Sequence, residues 1–133
     1  MPVEARPVAV FLDREVRWAQ DAYVKSVHDW GHQLVDDVAN ELRDHGFTVL
    51  TNRHDEHDLA LTLRVAAGRT VMDRVNVAMG IADARSGALT GQSSVAAGTP
   101  HYAARVLTNE LVASPALDHV VKRRAEEREP PSN

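Results

Sequence analysis

Apolar and polar positions change period several times along the chain, and each change marks an element. Leu59, Leu61, Leu63, Val65 and Ala67 alternate with Ala60, Thr62, Arg64 and Ala66. Beyond a turn around Gly68 to Met72, Val75, Val77, Met79 and Ile81 alternate with Asn76, Ala78, Gly80 and Ala82. Period 2 over both runs predicts two adjacent antiparallel strands with one face buried. Turn chemistry follows in Ala84-Arg85-Ser86-Gly87, and residues 89–97 predict a further strand, rich in Gly and Ser.

Elsewhere the period is helical. Val24, Val27, Gly31, Leu34, Val35, Val38 and Leu42 form one apolar stripe with acids opposite, which predicts a helix over 21–45. Asp21 caps its start and Gly46 its end. Gly31 costs about 1 kcal/mol relative to alanine inside a helix, so its place in the stripe predicts close packing against a sheet. Pro7 to Leu12 and Phe47 to Thr51 predict short flanking strands, and Asp13 to Gln20 a loop that runs toward the helix. Thr99-Pro100 opens a second helix, which bends or restarts at Ser114-Pro115. The mixed-charge run from Lys122 to Glu129 predicts a fraying end, and 130–133 a disordered tail. The expectation is a single α+β domain over 1–129. Its sheet is mixed or mostly antiparallel, of four or five strands, with two helices on one face in the order β-α-β-β-β-β-α.

Composition narrows the function. The chain has 133 residues, 44% of them hydrophobic but only 5% aromatic, so the core is built from Val, Leu and Ala. Nineteen acids against fifteen Lys and Arg leave a formal charge of −4, which argues against nucleic acid or an anionic membrane as a partner held by bulk charge. No apolar run approaches the roughly 20 residues that span a bilayer, and the residues given offer no direct membrane insertion. With no cysteine, disulfides, Cys-zinc sites and thiol catalysis are excluded.

Seven histidines make a metal site the alternative to test. His28 and His32 lie four apart in the first helix and could reach one ion, with His54 or His57 from the polar run His54-Asp55-Glu56-His57-Asp58. The match to a zincin pattern is poor, because Asp29 stands where glutamate is required and Gly31 interrupts the helix. A boundary histidine, a surface one and a solvated connection explain the same residues. No serine sits in a strand-turn-helix elbow, and Gly87 to Gly91 has no lysine for a phosphate loop. The acidic pairs, Asp36-Asp37 among them, fit a solvated surface with ordinary titration. No catalytic residue and no cofactor is expected.

The second face of the central strands is less ordinary. Ala60, Thr62, Arg64, Asn76, Ala78, Gly80 and Ala82 are small and nearly uncharged, where a solvated strand carries Lys, Glu, Thr or Arg. Such a face admits close approach of another surface. It is either covered by the chain's own terminus or later strand, or it is a contact with a protein partner or a second copy, most simply in a homodimer.

Three short motifs resemble a family of bacterial envelope domains. They are Gly46-Phe47-Thr48-Val49-Leu50, His57-Asp58-Leu59-Ala60-Leu61-Thr62-Leu63 and Ala82-Asp83-Ala84-Arg85-Ser86-Gly87-Ala88-Leu89. They are similar to the TolB amino-terminal domain and to lipoprotein domains of curli secretion and penicillin-binding-protein activation. Ser86 and Ala88 depart from that family's Asp-x-x-Thr-Gly-Glu turn. The resemblance implies a non-catalytic accessory domain that binds a protein through its sheet face or edge. It also implies a periplasmic or outer-membrane-anchored location; without it, a cytoplasmic one is expected. Neither a signal peptide nor an acylatable cysteine precedes the domain in the residues given.

Overall fold

The computed structural model describes residues 8–18, 24–67 and 75–128, with side chains for 8–16, 31–65 and 75–126 of these. The expected Asp21 cap, the turn at 68–72 and the tail at 130–133 lie outside the described residues. The elements are β1 (Ala9–Leu12), β2 (Arg17–Trp18), α1 (Val24–Asp44), β3 (Thr48–Leu50), β4 (Leu59–Ala67), β5 (Val75–Asp83), β6 (Leu89–Ala97), α2 (Pro100–Val112) and α3 (Pro115–Arg128).

Together they make one mixed sheet in the order β3-β1-β4-β5-β6. β1 is parallel to both β3 and β4, whereas β4, β5 and β6 form an antiparallel meander. A two-residue β2 also pairs with β4, at Arg64 and Val65, in the same lane as β1. It lies within the stretch expected to be loop.

Two periodicities decide which face is buried. In β4 and β5 the set Leu59, Leu61, Leu63, Val65, Val77, Met79 and Ile81 is buried, joined by Val10 and Leu12 from β1. These meet Leu34, Val35, Val38, Ala39 and Leu42 of α1 and Ala103, Ala104, Leu107 and Leu111 of α2. Burying a Leu- or Val-sized side chain contributes roughly 1.5–3 kcal/mol, so this cluster is the main stabilising element. Gly31 is buried on the same stripe of α1.

The helix ends follow local chemistry. After α1, Gly46 takes φ +89°, a conformation open to glycine, while Phe47 N–H donates to Leu42 O at 3.0 Å. Thr99 Oγ1 accepts from Tyr102 N–H at 3.2 Å at the start of α2, with Pro100 in the first turn. Ser114 Oγ accepts from Ala116 N–H at 3.0 Å, and Pro115 starts a new helix. Three helices therefore pack on this side, where two were expected. The charged run expected to fray is helical through Arg128.

Candidate interaction face

The antiparallel register fixes the opposite face. Ala60 pairs with Ala82, Thr62 with Gly80, Arg64 with Ala78 and Ala66 with Asn76. Because side chains alternate, all seven positions singled out by their small size share the face turned away from the core. Thr62, Arg64 and Asn76 are exposed, and Ala60, Ala78, Gly80 and Ala82 are half-buried. Strand β6 extends the surface with Gln92, Ser94 and Ala96, all exposed. β6 joins the sheet edge to edge and does not fold over this face, so the later strand does not cover it.

Two features of the face were not foreseen. A bulge between Ile81 and Ala82 sets Leu89 opposite Ala82, leaving Leu89 64% exposed. Its Cδ1 would lie 3.4 Å from a Cβ placed on Gly80, so Leu89 leans over the glycine. At the other side, loop 51–58 carries the chain from β3 past β1 to the start of β4. β3 and β4 run the same way, so the loop must cross β1. It does so on the outer face: the His57 ring lies 5.5 Å from that of Phe11, and the Arg53 guanidinium 5.9 Å from its centroid. Below it, Ala9, Thr48, Leu50, Glu56, His57, Asp58 and Arg124 line an open depression of about 260 Å³.

The resemblance motifs meet at one end of the sheet. Asp58 Oδ2 accepts from Ala9 N–H at 2.9 Å and lies 3.6 Å from Arg124 Nη1. Asp83 Oδ1 accepts from Arg123 Nη1 at 2.9 Å, and its Oδ2 accepts from Ser86 N–H at 3.2 Å and Ser86 Oγ at 3.1 Å. Ala84 N–H donates to Asp58 O at 3.1 Å, joining the two aspartates through the main chain. Neighbouring arginines of α3 thus anchor the helix to the start of β4 and the end of β5. Burial pushes the Asp83 carboxyl up, but the hydrogen bonds from Arg123 and Ser86 outweigh it and hold the group below its ordinary value. Nothing at this cluster resembles an acid–base pair, because both carboxylates are engaged by fixed donors.

Among the described residues the candidate histidines do not come together. His32 is exposed on α1, on the core side of the sheet, and the side chain of His28 lies outside the described residues. His57 packs at a tilt against Phe11 on the opposite side, its Nδ1 2.8 Å from Asp55 O, and His54 is exposed in the same loop. Among the described residues no three His, Asp or Glu side chains form a metal-sized cluster.

One acid departs from the ordinary titration expected of it. Burial against α2 raises the Asp37 carboxyl, with further upward pressure from Asp36 and Glu41, and His101 pulls the other way. Its Oδ2 is buried without a hydrogen-bond partner.

No family model and no curated protein matches this sequence. Solved structures do share its fold. PelC from Paraburkholderia phytofirmans, a dodecamer, matches at 20% identity over 78% of this chain and 83% of its own, with a TM-score of 0.51. A Helicobacter pylori homolog of neuraminyllactose-binding hemagglutinin matches at 12% identity over 95% and 96%, with a TM-score of 0.56. Lipoprotein GNA1162 from Neisseria meningitidis matches at 11% identity over 81% and 100%, with a TM-score of 0.51. The chain therefore has an α+β fold found in bacterial lipoproteins and PelC.

Proposed function

We propose that this chain is a non-catalytic accessory domain of the bacterial envelope, of the type to which TolB amino-terminal-like lipoprotein domains belong. It works by association through the outer face of its sheet, with a second copy as occupant. The observation that carries the reading is the one-sided layering: α1, α2 and α3 all pack on the core face, leaving Ala60, Ala78, Gly80 and Ala82 with Leu89 on the other.

That face is nearly uncharged, Arg64 being the single ionisable residue of the seven, so two copies can approach without strong repulsion. The three nine-residue strands β4, β5 and β6 make the open face about 30 Å long and, at three strand lanes, about 15 Å wide. The resulting area of roughly 450 Å² is about half of the roughly 800 Å² per partner of a standard interface, so the face fits a modest self-contact. The dodecameric assembly of PelC, on the same fold, supports self-association. No described helix is long and apolar enough to cross a membrane, so an envelope location would rest on an anchor or a partner.

Light scattering at micromolar concentration tests this. The wild type should show at least twice the monomer mass, and Ala78→Arg should lower it by placing a bulky cation at the centre of the face. A wild type that stays monomeric, or an Ala78→Arg protein of unchanged mass, contradicts the proposal.

A further inference from the structure

We infer that the free edge of β6 is a second self-association site, at which two copies join their sheets strand to strand about Ser94. Among the described residues the sheet has two edge strands, β3 and β6. β3 is three residues long and leads straight into a charged loop, a common way of blunting an edge. β6 runs nine residues, Leu-Thr-Gly-Gln-Ser-Ser-Val-Ala-Ala, with no charge and no proline. Among the described residues its one protection is the bulge at Thr90, which leaves 91–97 regular and unguarded.

The ladder shows which groups are open. Asp83 N–H donates to Ala88 O at 2.9 Å, and Thr90 Oγ1 donates to Ile81 O at 3.3 Å, so the odd-numbered residues of β5 turn toward β6. Their partners are Gly91, Ser93, Val95 and Ala97. Alternation then points the N–H and C=O of Gln92, Ser94 and Ala96 away from the sheet. All three residues are exposed, and no described group bonds to these main-chain atoms.

A second copy fits this edge better than an arbitrary strand. The bulge at Thr90 limits the regular segment to 91–97, and Ser94 is its midpoint. A two-fold axis there sets Ser94 opposite its counterpart and Gln92 opposite Ala96. Every outward donor and acceptor finds a mate, giving six main-chain hydrogen bonds. No ionised side chain of the strand meets its like, although the chain as a whole carries −4. The joined sheets would present one outer face of doubled width. This inference does not depend on the face-to-face contact, and the two fail separately.

The chain has no cysteine, so introduced thiols report alone. Directly opposed residues in such a pair sit about 5.5 Å apart at Cα, within disulfide range, whereas stacked sheets lie about 10 Å apart. Under mild oxidation Ser94→Cys should give a covalent dimer. Gln92→Cys mixed with Ala96→Cys should do the same, and neither of the latter two should when alone. Ser94→Pro removes an outward N–H that the monomer does not use, so it should fold with native circular dichroism and lose this association. Ala78→Arg should leave the Gln92–Ala96 cross-link intact. Absence of the mixed cross-link, or a Ser94→Pro protein that is folded yet keeps the wild-type mass, overturns the inference.

Discussion

Replacing Arg123 by alanine should cost the domain about 2–3 kcal/mol, a value set between two limits. Exposed ion pairs contribute about 0.2–1 kcal/mol, and removing one partner of a fully buried pair costs about 3–5 kcal/mol. Here the side chains are 17% exposed for Arg123 and 10% for Asp83, close to the buried limit. Asp83 keeps both Ser86 hydrogen bonds after the substitution, which limits the loss. Urea unfolding followed by circular dichroism measures the change, with a constant slope expected because the fold persists.

The pH dependence adds a second constraint. The native Asp83 carboxyl is held below its ordinary value, so its stabilisation is complete above the unfolded carboxylate pKa of about 4. It is lost as pH falls through the lower native value. The gap between wild type and Arg123→Ala should therefore be constant from about pH 5 to 8 and narrow below about pH 4. A loss under about 0.5 kcal/mol, the size of an exposed pair, would refute the reasoning, as would a gap that persists unchanged in acid.

Asp37 gives the opposite sign: its native carboxyl is raised by burial, so ionisation costs stability as pH rises through and above the ordinary carboxylate range. Asp37→Asn should melt higher than wild type at pH 7, with the advantage shrinking toward pH 3; a variant less stable at both would show that the charge is compensated. Gly91→Val should lose about 1–3 kcal/mol through overpacking, since a Cβ there already lies 3.3 Å from Ile81 Cδ1 and 3.7 Å from Ala116 Cβ; an unchanged urea midpoint would contradict this. Zinc or a chelator should move the melting temperature little, and elemental analysis finding one metal per chain would overturn the accessory-domain reading.

The parts legible in the sequence are those where one physical demand dominates. Period-2 alternation located β4 and β5 because each has one buried face, and the stripe from Leu34 to Leu42 located α1 for the same reason. Alternation alone puts the small residues from Ala60 to Ala82 on one face, because it leaves them nowhere else. Loop 51–58 was different. Its polar text says that it is exposed, but only the parallel pairing of β1 with both neighbours makes it cross Phe11. Lys122 to Glu129 has the composition of a frayed end; Arg123 and Arg124 are ordered by Asp83 and Asp58, some forty and more residues away. Asp37 reads as one of two surface acids, and only the packing of α2 along α1 desolvates it. Each of these depends on a distant partner, which local pattern does not carry.

A single thiol at Ala78 tests the central claim most directly. Ala78→Cys places the chain's sole cysteine at the middle of the outer face, and its reaction rate with a water-soluble maleimide can be followed over a protein dilution series. An exposed control, Asp44→Cys at the end of α1, reports on reagent and folding. If the face is where copies associate, the rate for Ala78→Cys relative to the control should be highest when dilute and fall progressively as the mass rises. A ratio of the two rates that stays the same at every concentration would show that the face remains open to solvent, and would contradict the account.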